Sequence, residues 1–159
     1  MGFISIILLS FLPAALYAFI VYITTPYKTI NFKTGLAYLF GGFLSVGLLL
    51  YFFEAFPSWG NLAGYITDGY LYPLHYVHIQ NFVQIGFIEE LSKLGTFFLI
   101  LKMRKNHGPV NDHPLSTMFY VGMISLGFAV IENISYGANA LNPGDTIMWR
   151  SFTAVIGHM

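Results

Sequence analysis

The chain has 159 residues, of which 56% are hydrophobic and only 9% are charged. Soluble domains are about a quarter charged, so this composition is typical of a protein whose solvent is largely lipid. The 7 basic and 7 acidic residues balance, which excludes a basic field for nucleic acid, and without cysteine there are no disulfides, thiolate metal sites or cysteine nucleophiles.

Four apolar stretches are long enough to cross a bilayer, which takes about 20 residues. They cover Phe3–Ile23, Gly35–Phe53, Asn81–Leu101 and Leu115–Tyr136. A fifth begins near Thr146 and reaches Met159 after roughly 14 residues, so we expect the chain to stop inside that span. We therefore predict an all-α, polytopic transmembrane helix bundle with four complete spans and a truncated fifth, forming a single, C-terminally incomplete domain over residues 1–159.

The distribution of lysine and arginine predicts the orientation of the chain. The first loop holds Lys28 and Lys33, and the third holds Lys102, Arg104 and Lys105, whereas the second and fourth loops hold none. Because short cytoplasmic loops are enriched in these residues, the pattern places the N-terminus outside. No basic residue precedes the first apolar stretch, so we interpret that stretch as a retained span rather than a signal peptide.

The long second loop, residues 54–80, is rich in tryptophan and tyrosine, which is typical of the membrane interface. His75 and His78 lie three residues apart in it, a spacing that suits either a metal site or two solvated histidines. In the fourth span, Gly122 and Gly127 predict close packing against a neighbouring helix.

Ionisable and amide side chains inside the spans are the most informative feature of the sequence. They are Glu89, Glu90 and Lys93 in the third span, Glu132 and Asn133 in the fourth, and Arg150 and His158 in the fifth. The four charges of the third and fourth spans would cost roughly 10 kcal/mol in lipid if unpaired. That is comparable to a typical folding free energy of about 5–15 kcal/mol, so we expect these groups to face the bundle interior and to pair.

Helical geometry brings several of these groups together. Glu89 and Lys93 are four residues apart and share a helix face, while Glu90 is about 100° away around the helix. At about 1.5 Å per residue, the depths below the outer ends of the spans are roughly 12 Å for Glu89, 6 Å for Glu132 and 18 Å for His158. Allowing about one turn for boundaries and tilt, three helices bring three glutamates and a histidine toward one layer.

Two chemical routes suit such a layer, and both lead to hydrolysis, most naturally of an amide. Carboxylate and imidazole ligands suit a zinc ion with an open position that activates water, with another carboxylate as general base. Without a metal, a carboxylate activates water itself, and Asn133 donates to the oxyanion. Other readings stay open: the charges only pin helices together in a non-catalytic scaffold, or they form the relay of a proton-coupled transporter.

Three motifs carry a family resemblance. They are Glu89-Glu90-x-x-Lys93, Phe128-x-x-x-Glu132-Asn133, and Arg150 followed by His158. In this order on successive spans, the sequence resembles the PrsW family of intramembrane proteases, which is similar to CAAX prenyl proteases and bacteriocin-processing membrane proteases. In those relatives a histidine usually stands at the position of Glu132, which favours the PrsW branch.

The resemblance implies Glu89 and Glu90 as catalytic residues beside Asn133, and Glu132 and His158 as metal ligands or catalytic partners. Glu89 is a further candidate ligand, and Lys93 and Arg150 support the site. The implied cofactor is a zinc ion, with a metal-free glutamate mechanism as the other option. The implied partner is a membrane protein substrate, such as an anti-sigma factor cleaved in the bacterial plasma membrane, and the alternative is a non-catalytic scaffold of the same superfamily.

Overall fold

The computed structural model describes residues 2–24, 30–56, 82, 86–105 and 114–158. The described helices are α1 (Phe3–Thr24), α2 (Phe32–Ala55), α3 (Phe87–Lys105), α4 (Pro114–Asn139) and α5 (Pro143–His158). No strand occurs within these ranges, so the all-α prediction is confirmed for the described part of the chain. The aromatic second loop, with His75 and His78, lies almost entirely outside it.

Three of these helices, α1, α2 and α4, are long and apolar enough to cross a membrane. They coincide with the first, second and fourth predicted spans, which supports an integral membrane protein. The predicted third span corresponds to α3, a helix of 19 residues that carries two acidic residues in its first turn. The prediction of four complete spans therefore stays a prediction for that helix, and α5 has 16 residues.

Helix α4 is the centre of the bundle and packs against each of the other four described helices. The share of its most apolar stretch that is buried is 61%, against 22% for α1 and for α2. Its residues Met123, Ile124, Leu126 and Val130 are almost fully buried. Polar side chains on the buried face of this helix, such as Asn133, are therefore enclosed by neighbouring helices.

Helices α2 and α4 touch through glycine. A Cβ atom added to Gly42 would lie 2.6 Å from the backbone nitrogen of Phe128, and one added to Gly127 would lie 3.0 Å from the carbonyl carbon of Leu39. Close packing at Gly127 is therefore confirmed. The same prediction for Gly122 is wrong, because a Cβ atom there would meet nothing within 4 Å.

Local sequence fixes where these helices begin. The side chain of Asn31 caps α2 by accepting hydrogen bonds from the backbone N–H groups of Lys33 (3.0 Å) and Thr34 (3.4 Å). Pro114 and Pro143 start α4 and α5, positions at which the missing N–H of proline has no cost. The backbone N–H of Asn31 also donates to the hydroxyl of Tyr120 at 3.3 Å, which ties the start of α2 to α4.

Candidate active site

The clearest polar cluster joins α4 and α5. Arg150 of α5 donates through Nε to Oδ1 of Asn133 at 2.9 Å and through a terminal nitrogen to Oε2 of Glu132 at 2.8 Å. The side chains of Arg150 and Glu132 are each 20% exposed. Adjacent residues of one motif are thus held by a single guanidinium, and the structure brings the three candidate residues Glu132, Asn133 and Arg150 together.

Asn133 occupies the most enclosed position of this cluster, with no exposed surface. Because arginine only donates, its bond to Asn133 orients the amide oxygen toward Arg150 and the amide nitrogen away. Among the described residues, that nitrogen has no hydrogen-bond partner. A buried amide donor without a partner is costly, so its retention fits a functional demand at this position.

A second ion pair lies in α3. Lys93, whose exposed fraction is 4%, donates from Nζ to Oε1 of Glu90 at 2.6 Å. The Glu90 side chain is 64% exposed. The sequence singled out the four-residue relation between Glu89 and Lys93, and the structure adds this three-residue pair. Lys93 thus neutralises a carboxylate that would otherwise stand alone on the helix surface.

Contacts between α3 and α4 set the relative level of the two clusters. The Arg104 guanidinium lies 5.6 Å from the ring centre of Tyr120, and Lys93 Nζ lies 4.3 Å from that of Phe128, so the helices run antiparallel. Glu89 precedes Lys93 by one turn, and Glu132 follows Phe128 by one turn. The two carboxylates therefore lie toward the same end of the bundle, within about one turn of each other in height.

For His158, the last of the predicted site residues, the structure describes the backbone position only. It ends α5, eight residues after Arg150, so its backbone lies roughly 12 Å further along the helix axis. Its side chain lies outside the described residues. That His158 joins the glutamates in one layer therefore stays a prediction.

A cavity of about 210 Å³ opens between α3 and α4 beside the Glu90–Lys93 pair. Its lining is Glu90, Lys93, Leu94, Phe97, Val121, Ile124 and Ser125. The space is large enough for several water molecules, and the two charged groups with Ser125 give water polar partners. A hydrolytic site needs water next to a carboxylate, and this cavity provides room for it at Glu90.

The ligand types present suit zinc only in part. Within the described ranges, no three His, Asp or Glu side chains come close enough to hold a metal ion. Glu90 and Glu132 are each paired with a basic side chain, so the negative charge with which each would bind a metal ion is already neutralised. The described side chains therefore supply an incomplete ligand set.

Sequence reasoning overlooked the aromatic neighbours of the basic groups. The guanidinium of Arg150 lies 3.8 Å from the ring centre of Tyr136, as Lys93 lies over the ring of Phe128. Phe128, Glu132 and Tyr136 are spaced by four residues along α4. This spacing was visible in the sequence and could have predicted that both rings share a helix face with Glu132.

The chain matches a known protein family. The model of the family described as PrsW family intramembrane metalloprotease matches residues 31–159. No curated protein and no solved structure matches the chain. The matched range contains both ion pairs, the buried asparagine and the cavity beside Glu90.

Proposed function

This chain belongs to the PrsW family of intramembrane proteases, and we propose that it hydrolyses a peptide bond within or near the membrane-embedded part of a membrane protein. The observation that carries the proposal is the placement of carboxylates at a similar height on two neighbouring helices. Glu89 and Glu90 lie on α3, and Glu132 lies within about one turn of their height on α4. Charged groups inside membrane helices are costly and are typically retained for function.

In the proposed reaction, the Glu89–Glu90 pair activates water. One carboxylate accepts a proton from a water molecule in the cavity beside Glu90 while the water oxygen bonds to the peptide carbonyl carbon. The tetrahedral intermediate then collapses, the C–N bond breaks, and the proton passes to the departing amine. Lys93 holds Glu90 at 2.6 Å, which fixes the direction in which that carboxylate presents its second oxygen.

Arg150 and Asn133 organise the other side of the proposed site. Arg150 holds Glu132, and its bond to Asn133 leaves the amide nitrogen of Asn133 as a donor without a partner in the described part of the chain. The oxyanion role predicted for Asn133 requires this buried donor to become accessible to the substrate carbonyl. In the arrangement described, Asn133 acts as a positioning residue for Arg150.

The family description as a metalloprotease adds a metal to the proposal. A bound zinc ion would supply an activated water molecule and charge stabilisation. Glu132 and His158 are the proposed ligands, with Glu89 as a further candidate, because carboxylate and imidazole are the ligand types present. Since the described side chains form an incomplete set, the steps above use only the protein's own groups.

The proposed substrate is a membrane-anchored protein such as an anti-sigma factor, whose cleavage would activate a transcriptional response. With the orientation predicted from the basic loops, the N-terminus is outside, and the end of the bundle with Glu89 and Glu132 faces the extracytoplasmic side. Cleavage is therefore expected near that side of a bacterial plasma membrane.

A non-catalytic scaffold is the second candidate, and one observation favours it. Glu132 of α4 forms an ion pair with Arg150 of α5, and an ion pair between membrane helices can serve only to hold the helices together. A scaffold would lose partner binding, rather than turnover, when these residues are changed.

The two candidates are separated by labelling new protein N-termini in membranes from cells that produce the wild-type chain or a variant, followed by mass spectrometry. We expect new N-termini in at least one membrane protein with the wild type, and none with Glu89→Gln or Glu90→Gln. Glu54→Gln is the matched control, because Glu54 lies near the end of α2 and outside the proposed site.

If Glu54→Gln abolishes the new N-termini as well, the loss is not specific to the proposed catalytic pair. If no N-terminus depends on Glu89 or Glu90 while partner proteins still co-purify with the wild type and not with the variants, the scaffold is the function. A cleaved anti-sigma factor among the substrates would support the regulatory role.

A further inference from the structure

One face of α4 contacts a basic side chain from each of two neighbouring helices. Phe128, Glu132 and Tyr136 repeat every four residues and therefore share this face. Lys93 of α3 lies 4.3 Å from the Phe128 ring centre, and Arg150 of α5 lies 3.8 Å from the Tyr136 ring centre. The aromatic rings thus bracket Glu132 along the helix.

The Arg150 guanidinium is fixed in three ways. Its N–H donors lie in one plane, and two of its nitrogens donate hydrogen bonds to Asn133 and Glu132. The Tyr136 ring contacts the group at a distance suited to a cation–π interaction. The hydrogen bonds therefore set the direction of the guanidinium, and the ring restricts its remaining movement.

The position of Tyr136 explains why such a restriction is needed. Arginine side chains inside membranes extend toward the nearer interface to reach water. Tyr136 lies one turn closer than Glu132 to Asn139, the end of α4. The Tyr136 residue is 52% exposed, whereas the Arg150 side chain is 20% exposed, so the ring covers the guanidinium on that route.

We propose that Tyr136 is a positioning residue of the site: its ring keeps the Arg150 guanidinium in contact with Glu132 and Asn133 at once. Without the ring, Arg150 turns toward the interface, and Glu132 and the buried Asn133 oxygen lose their shared donor. The inference rests on the proposed function, because it assigns Tyr136 to the protease site. The ring face, and not the hydroxyl, carries the effect.

The test compares Tyr136→Phe, Tyr136→Trp and Tyr136→Leu, with Tyr51→Leu as the control for losing an exposed tyrosine of another helix. The cation–π contact stabilises the position of the Arg150 guanidinium. Losing it in Tyr136→Leu should therefore lower kcat for cleavage by about 5- to 30-fold. Tyr136→Phe and Tyr136→Trp should retain activity close to wild type, as should Tyr51→Leu. Adding Tyr136→Leu to Arg150→Gln should cause no further loss.

A second readout does not depend on cleavage. The chain has two arginines, Arg104 and Arg150, so labelling arginine with ¹⁵N gives two Nε–H signals in detergent-solubilised protein. The Tyr136 ring should shift the Arg150 signal, and that shift should disappear in Tyr136→Leu and persist in Tyr136→Phe. The Arg104 signal should be unchanged throughout.

The proposal is overturned if Tyr136→Leu leaves both the Arg150 signal and kcat as in the wild type, or if Tyr136→Phe loses as much activity as Tyr136→Leu. Misfolding of the leucine variant leaves the phenylalanine and tryptophan variants to decide. If the wild-type chain cleaves nothing, the proposed function fails, while the Arg150 signal still reports whether Tyr136 positions the guanidinium.

Discussion

The close approach of α2 and α4 gives a sharp test of the bundle that carries the site. Gly127→Ala adds a methyl group where the helix backbones touch: its Cβ would lie 3.0 Å from the Leu39 carbonyl carbon and 3.1 Å from the Gly42 Cα, and nearer still to the Leu39 carbonyl oxygen. These are backbone atoms, which cannot rotate away as a side chain can. The helices must therefore separate.

The magnitude follows from two opposing terms. Alanine gains about 1 kcal/mol over glycine inside a helix. Overpacking costs about 1–3 kcal/mol, and the upper end applies here because the obstructing atoms belong to the backbone. We therefore expect Gly127→Ala to lower the free energy of unfolding by about 2 kcal/mol. Gly122→Ala, in the same helix with open space around it, should instead be neutral or raise it by up to about 1 kcal/mol.

The assay is SDS titration of the protein in mixed micelles, with helix content followed by circular dichroism. Gly127→Ala should lower the SDS concentration at the midpoint, and Gly122→Ala should leave it unchanged or raise it. The free energies of unfolding of the two variants should differ by about 2–3 kcal/mol. Equal midpoints for Gly127→Ala and Gly122→Ala would refute the reasoning, because they would mean that α2 and α4 do not touch at Gly127.

The remaining predictions concern the charged groups. Arg150→Gln should lower the free energy of unfolding by about 1.5–3 kcal/mol, because it removes the charged hydrogen bonds to Glu132 and Asn133. Adding Glu132→Gln should cost less in this background than in the wild type, and additive losses in the same titration would contradict the pairing. Phe128→Leu removes the ring that Lys93 contacts and should raise the reactivity of the Lys93 amine toward labelling reagents in detergent, whereas Phe128→Tyr keeps a ring and should not. Equal labelling of the two variants would mean that the ring does not shield Lys93. If zinc is bound, its content in protein purified without chelators should fall at least tenfold in Glu132→Gln and in His158→Ala, and unchanged content in both would remove these two residues as ligands.

Much of the fold could be predicted from the sequence because the bilayer imposes a simple length rule. The apolar stretches at 3–23, 35–53 and 115–136 correspond to α1, α2 and α4, each extended by one to three residues at one or both ends. The Asn31 cap of α2 and Pro114 at the start of α4 explain the residues added at those two N-termini. Hydropathy says less about α3, whose charges interrupt the apolar pattern.

The site could be predicted in its members but not in its partners. The cost of charge in lipid predicted that Glu132 would have a partner, and the structure supplies Arg150, which also bonds to Asn133. The sequence could not show that Arg150 donates to the Asn133 amide oxygen, because that contact depends on how α4 and α5 are rotated against each other. The choice of Glu90 as a partner of Lys93 depends on side-chain rotamers within a turn, which spacing alone leaves open.

The central claim is that Glu89 and Glu90 carry out peptide hydrolysis inside the membrane. The direct measurement is cleavage of a purified membrane substrate, identified by its new N-terminus, by the purified chain in proteoliposomes. We predict turnover by the wild type and by Glu54→Gln, and at least a hundredfold loss in Glu89→Gln or Glu90→Gln with helix content retained. Undiminished turnover in both variants would contradict the account.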